Sequence, residues 1–316
     1  MERQEGLMTE MPKIEGILPI LQTPFDENDQ IDRVSLQREI DWAFEQGIQG
    51  VCSAMVSEIL RLTSQERIEL NRLIVEMTDG RGAVVGSVGA ESIKQAVEFA
   101  EAMVGDGCHA IMAIPPISTA LPRTALYEYF KTLADTVSVP LIVQDASSYV
   151  GAAIPTDFYV QLLDEYGPEK ILFKPEGAPI GPNISDLRDA SQGRARMFDG
   201  SGGILLIDAF RRGVIGTMPG IESLDGIAAL WQALQRNDEA TAYQIYFPIC
   251  ALVALQLQAG LDGFLAIEKY ILCKRGLFTT DRRREPNSWS LDDETKSEVD
   301  RLLILLQDLL RSTERG

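Results

Sequence analysis

Eight short apolar runs, each closed by small, proline or turn-forming residues and followed by a helical stretch, recur along this 316-residue chain. Such a rhythm restricts it to repeated β-α units. The runs are GILPILQTPF from Gly16, GVCSAM from Gly50, AVVGSVG from Ala83, AIMAIPP from Ala110, PLIVQDA from Pro140, ILFKPEG from Ile171, ARMFDGSGG from Ala195 and GVIGTMPG from Gly213. Their starts lie about 18 to 34 residues apart, room for one strand, one helix and two loops. Most are nearly continuous in hydrophobicity, as expected for strands covered by helices outside and packed side chains within. An open doubly wound sheet would produce similar runs. The count of eight and the lack of an early G-x-G-x-x-G turn favour an α/β fold of the parallel (β/α)8 kind, a TIM barrel with a C-terminal helical extension.

After Gly220 the strand rhythm stops, and helical periodicity marks segments near 225–235, 239–259, 263–275 and 292–310. Ser290, Asp292 and Asp293 offer N-cap and first-turn groups before the stripe Val299, Leu302, Leu303, Leu306 and Leu310. The stretch TTDRRREPNSW, 279–289, reads as a polar connector broken at Pro286, its charges a solvated loop. The expected organisation is a flexible segment at 1–13, the barrel at 14–221, and a helical region at 222–316 that includes the barrel's last covering helix.

Composition narrows the partners. With 45% hydrophobic and 24% charged residues the chain can bury a sizeable core. A formal charge of −18 and the lack of any basic track argue against nucleic acid and anionic lipid surfaces. Local donors can still hold a small anion against a distant, screened net charge. Cys52, Cys108, Cys250 and Cys273 contain no C-x-x-C pair, which suggests neither zinc nor a disulfide framework and fits a reducing cytoplasm. The N-terminus is charged, and no uninterrupted apolar run reaches the roughly 18 residues of a membrane span. His109, the only histidine, precedes the fourth run, at the barrel end opposite the expected active site, and is assigned a packing or surface role. No metal and no cofactor is expected.

Chemistry in such barrels gathers at the C-terminal ends of strands. There the sixth run places Lys174 after Ile171, Leu172 and Phe173, with Pro175 weakening further sheet pairing. Burial disfavours an ammonium and frees the amine to attack a carbonyl, the Schiff-base role. The alternative is a structural lysine paired with Glu176 or Asp199.

In order and spacing, TPFDENDQID near the first run, SEILRLTSQER after the second, AIMAIPP at the fourth and Lys174 at the sixth resemble the dihydrodipicolinate synthase and N-acetylneuraminate lyase superfamily. The resemblance covers roughly residues 14–275 and implies a lysine-dependent lyase of 2-oxo acids, forming an oligomer, by family habit a tetramer. There are departures. Where many members have Gly-Thr-Thr-Gly-Glu, this chain has Ala54, Met55, Val56, Ser57 and Glu58. Gln144 and Asp145 stand where the family carries a catalytic tyrosine and an asparagine, and Ile117 and Ser118 replace the tyrosines after Pro-Pro. The usual Thr-Tyr-Tyr proton relay is thus missing. Tyr149 occupies the position of the synthase's carboxylate-binding arginine, which argues against the lysine-biosynthetic reaction.

The sequences V-Q-D-A at 143–146 and F-K-x-E at 173–176, with S-E at 57–58, look like the 2-keto-3-deoxy-L-arabonate dehydratase group. The resemblance implies an imine on the 2-oxo carbon that acidifies C3 and expels the C4 hydroxyl. Glu176, two residues from Lys174 on a strand, is the candidate for proton transfer, and Gln144 for orienting a hydroxyl or the imine nitrogen. The structural alternatives are an ion-pair partner of Lys174 and a loop-satisfying amide. The Val56 and Ser57 amides, with the Ser57 hydroxyl, are candidates for the substrate carboxylate. Glu58 suits a helix cap as well as chemistry. Gly200 and Ser201, in the GSGG stretch, allow close approach to a ligand or form a flexible turn. Three activities remain: dehydration of a 2-keto-3-deoxy sugar acid, retro-aldol cleavage to pyruvate and an aldehyde, and non-catalytic binding of a 2-oxo acid.

Overall fold

The structure, a computed structural model, describes residues 12–148 and 151–313. Most of the expected 1–13 segment, and Tyr149, lie outside the described residues. Eight parallel strands follow the eight apolar runs: β1 Gly16–Ile17, β2 Gly50–Cys52, β3 Ala83–Ser87, β4 Ala110–Ala113, β5 Leu141–Asp145, β6 Ile171–Pro175, β7 Phe198–Asp199 and β8 Gly216–Thr217. Helices alternate with them: α1 Arg33–Glu45, α2 Ser64–Thr78, α3 Ile93–Gly105, α4 Arg123–Thr136, α5 Thr156–Tyr166, α6 Ile180–Ala190, α7 Leu206–Arg211 and α8 Leu224–Gln235. Three more close the chain: α9 Glu239–Leu257, α10 Gly260–Lys274 and α11 Asp293–Thr313.

Strands pair in the orders β2-β3-β4-β5-β6 and β7-β8-β1. Bridges Ile20 to Cys52 and Phe173 to Met197 join the two sets and close the barrel. Parity along each strand sorts the side chains. Ile142 and Leu172 fill the interior with Leu18, Val85, Met112 and Met218, while Leu141, Val143, Ile171 and Phe173 meet the surrounding helices. The next inward positions after Ile142 and Leu172 are Gln144 and Lys174. These two are register partners on β5 and β6.

Local chemistry sets the helix starts. Asp32 accepts from the Val34 and Ser35 N–H groups to open α1, and Ser92 accepts from Gln95 N–H to open α3. Thr63 and Glu66 cap α2 reciprocally, so part of the LTSQER motif is a capping box. In the first-run motif, Asp26 accepts from the N–H groups of Asn28 and Gln30 to form a turn. His109 is half-buried, and its Nδ1 accepts from Val84 N–H beside the start of β4.

Two expectations change. The 279–289 connector is not a free solvated loop. Arg284 binds Glu66 and Asp29 and lies over the Phe25 ring, while Arg283 donates to the Asp262 and Trp289 carbonyls. The arginines that marked it as a polar loop fasten it to the barrel. Helix α9, at 19 residues, is long and apolar enough to cross a membrane by length and composition. It packs against α8, α10 and α11 and buries Ile245, Ile249, Leu252 and Val253.

Candidate active site

At the C-terminal end of the barrel a small cavity is lined by Lys174, Glu176 and Gln144, with Ile20, Met55, Val56, Gly200, Met218, Gly220, Phe264 and Glu268 around them. Lys174 Nζ lies 3.3 Å from Glu176 Oε1, both side chains nearly excluded from solvent. Gln144 Nε2 donates to Glu176 Oε2 at 2.6 Å. Pro175 still pairs with Asp145, the last register pair of the β5–β6 ladder. Glu176 N–H then donates to the Asp145 carbonyl, which turns its side chain back over Lys174. Asp145 itself receives Ser147 and Ile154 N–H groups and shapes the loop after β5.

Burial pushes the Glu176 carboxyl above its ordinary value, and the Lys174 ammonium and Gln144 amide offset part of that shift. Asp199 is also raised by burial, against hydrogen bonds from Ser201 and Thr217. A carboxyl so placed can accept a proton from the neighbouring amine and return one later. A second cavity is lined mainly by apolar residues, among them Pro115, Ile117, Leu121 and Phe158.

Several expected binding residues take other parts. Ser57 donates its hydroxyl to the Leu21 carbonyl, accepts from Ala54 N–H, and donates its own N–H to the Ala54 carbonyl. It therefore builds the single 3-10 turn Met55–Ser57 rather than offering donors. That turn leaves Met55 N–H and Val56 N–H without a hydrogen-bond partner among the described residues, one position earlier than the expected pair. Ser201 is likewise engaged, donating its N–H to Asp199 Oδ1 and accepting Leu205 N–H at its hydroxyl. Gly200 allows close approach, but of protein: a Cβ there would overlap Lys174 Cε and the Glu176 carboxylate.

Glu58 neither caps α2 nor faces the cavity. It forms a fully buried ion pair with Lys269 and accepts Arg284 N–H. Lys269, Glu268 and Glu222 were missed in the sequence. Their one local signal is the Glu268-Lys269 doublet inside the apolar α10 sequence GLDGFLAIEKYILCK. Among the described residues no group of three or more His, Cys, Asp and Glu is arranged to hold a metal ion.

Residues 13–303 match the Dihydrodipicolinate synthetase family. The chain belongs to that family. The dihydrodipicolinate synthetase family is one of Schiff-base lyases whose members act on small 2-oxo acids. Among its relatives, L-2-keto-3-deoxyarabonate dehydratase of Azospirillum brasilense is 27% identical over 299 residues, 91% of this chain and 93% of that protein. The 4-hydroxy-tetrahydrodipicolinate synthase of Methanosarcina mazei is 27% identical over 243 residues, 76% of this chain and 81% of that protein. The solved dihydrodipicolinate synthase of Rhodopseudomonas palustris superposes with a TM-score of 0.84 at 25% identity, covering 94% of this chain and 99% of that one. The family fold thus accounts for the barrel and its C-terminal helices.

Proposed function

We propose that the protein is a hydro-lyase that removes water from a 2-keto-3-deoxy sugar acid through an imine on Lys174. The observation that carries this reading is the buried set of Lys174, Glu176 and Gln144 in one cavity, with the Glu176 carboxyl beside the Lys174 amine. The likeness over nine-tenths of the chain to L-2-keto-3-deoxyarabonate dehydratase supports it.

Lys174 attacks the C2 carbonyl; two of its ammonium protons pass, through Glu176 or water, to the carbonyl oxygen, which leaves as water, so that a protonated imine stands beside the Glu176 carboxylate. Glu176 then removes a proton from C3, and the electrons of that bond form the enamine. The enamine expels the C4 hydroxyl, which leaves as water once protonated. Hydrolysis of the imine returns Lys174 and a 2-oxo-3-ene acid. Met55 and Val56 N–H hold the substrate carboxylate, and Gln144 orients Glu176.

We also propose a homo-oligomer, by family habit a tetramer, working in the cytoplasm. The exposed Phe247 on α9 and the Ile304–Leu305 pair on α11 support association, and the free cysteines fit a reducing compartment.

Borohydride reduction in the presence of pyruvate, followed by mass mapping, should mark Lys174. Product analysis with 2-keto-3-deoxy sugar acids should show loss of water alone. Pyruvate plus an aldehyde would establish the retro-aldol reading instead, and an adduct without turnover of any such acid would favour a binding protein. No adduct with any 2-oxo acid would end the Schiff-base assignment.

A further inference from the structure

The imine chemistry leaves one wall of the cavity unexplained. Glu268, on α10, lines the same cavity as Lys174 and is fully buried. It stands over the β8 and β1 side: Gln22, beyond β1, donates its side-chain amide to Glu268 Oε2. Gly220, just past β8, leaves room for two carboxylates, since a Cβ there would overlap both Glu268 Oε1 and Glu222 Oε2. These two oxygens therefore flank one point. Neither has a hydrogen-bond partner among the described residues.

Charge balance around that point is poor. Glu222 Oε1 accepts from Gln256 Nε2 at 2.8 Å, and a third buried carboxyl, Glu39, accepts Gln22 N–H at 2.7 Å. The buried ammonium next along α10, Lys269, is engaged by Glu58. Two buried carboxylates facing one another cannot both remain ionised, and one proton between them satisfies both free oxygens. Burial and the neighbouring Glu222 hold the Glu268 carboxyl well above the ordinary carboxylate range.

Elimination needs a second proton transfer besides the one at C3. We propose that Glu268, sharing a proton with Glu222, is the acid that protonates the departing C4 hydroxyl across the cavity from the Lys174 imine. The role rests on the dehydratase reading above. Once Glu176 has taken the C3 proton and the enamine has formed, the enamine electrons form the C3=C4 bond and restore the imine as the C4–O bond breaks. The oxygen keeps that bond's electron pair, takes the Glu268 proton and leaves as water. After product release the proton on Glu176 returns through solvent to the Glu222–Glu268 pair, so the cycle consumes none. Glu222 is a positioning residue that keeps Glu268 protonated at neutral pH.

The test uses the full chain and a 2-keto-3-deoxy sugar acid that the wild type dehydrates. In Glu268→Gln, borohydride trapping of pyruvate on Lys174 and solvent-deuterium exchange into the pyruvate methyl should persist, while dehydration falls roughly 100-fold or more. Undiminished dehydration, or equal loss of trapping, exchange and dehydration, would overturn the assignment. Burial raises Glu268 most, and Glu222→Gln removes the nearer of the two charges that add to it, leaving Glu39 and Lys269 as its charged neighbours. The alkaline limb of kcat should then move to lower pH, with the rate retained on the acid side. An unmoved limb refutes the shared proton, and this variant decides the matter if Glu268→Gln does not fold. A wild type that forms pyruvate instead of losing water fails the parent reading before any variant is made, and the acid role falls with it.

Discussion

Lys174 Nζ and Glu176 Oε1 stand 3.3 Å apart in a cavity wall that excludes water from both. Neither group has another oppositely charged partner within ion-pair distance among the described residues, and Lys174 offsets part of the upward shift that burial imposes on Glu176. Glu176→Gln keeps the hydrogen-bonding shape and removes the proton acceptor. Borohydride trapping on Lys174 should survive, and elimination should slow by roughly 100-fold or more. Equal loss of trapping and turnover would assign Glu176 a purely structural role.

Lys174→Ala should abolish trapping and turnover while leaving the barrel folded. Without the ammonium, Glu176 loses the largest effect that opposes its burial, and its folded pKa rises further. A raised carboxyl pKa means that the folded state binds the proton more tightly than the unfolded one. Its stability is full below the ordinary value and declines as pH rises through the folded value. The variant should therefore go on losing thermal stability with rising pH, from the ordinary carboxylate value upward, beyond the point where the wild type levels off. Parallel melting curves across that range would contradict this.

Gly200→Ala introduces a Cβ into the space of Lys174 Cε and the Glu176 carboxylate. The pair must separate or tilt, and misplacement on this scale can cost about 100-fold in rate. Adduct formation with pyruvate should slow, with circular dichroism unchanged. Wild-type trapping kinetics would show that the side chains give way without consequence.

The Glu58–Lys269 pair is fully buried 211 positions apart in sequence. Lys269→Met strands the Glu58 carboxylate and should destabilise the fold by about 3–5 kcal/mol, whereas adding Glu58→Gln should recover much of that loss. Denaturant melts of the two variants test the coupling. An additive pair would mean that the two charges act independently.

Arg284 hydrogen-bonds Glu66 and holds its carboxyl down to about 2. A depressed carboxyl contributes stability that is present above its ordinary value and lost as pH falls through the folded one. Arg284→Ala removes that contribution, so the variant should be less stable than wild type above the ordinary carboxylate value, and the difference should close as pH falls from roughly 4.5 to 2, the window that the shift spans. The substitution should also raise hydrogen exchange along residues 279–289. Exchange unchanged there would show that the connector's other contacts, among them Arg283 and the Glu58 bond to the 284 backbone N–H, suffice to fasten it.

The eight strands, most helices and the place of Lys174 were legible because they are written in short-range patterns: apolar runs, helical periodicity, a capping box and a proline after a buried lysine. Glu176 was expected beside Lys174 from alternation along the strand and Gln144 from the family resemblance, and both line its cavity, Glu176 from just past the end of β6. Ser57 and Ser201 misled because a hydroxyl near a cavity does not reveal which way its hydrogen bonds run. Here both serve their own turns.

What only the tertiary structure decided are the meetings of distant residues. Gln22 reaches Glu268 across 246 positions, Glu222 and Glu268 converge over Gly220, and Lys269 finds Glu58. By itself the sequence determined a (β/α)8 chain carrying a lysine near the C-terminal end of its sixth strand. Which carboxyls meet in and beside that cavity followed from barrel closure, because only the closed barrel sets the neighbours of a buried charge and removes water from it.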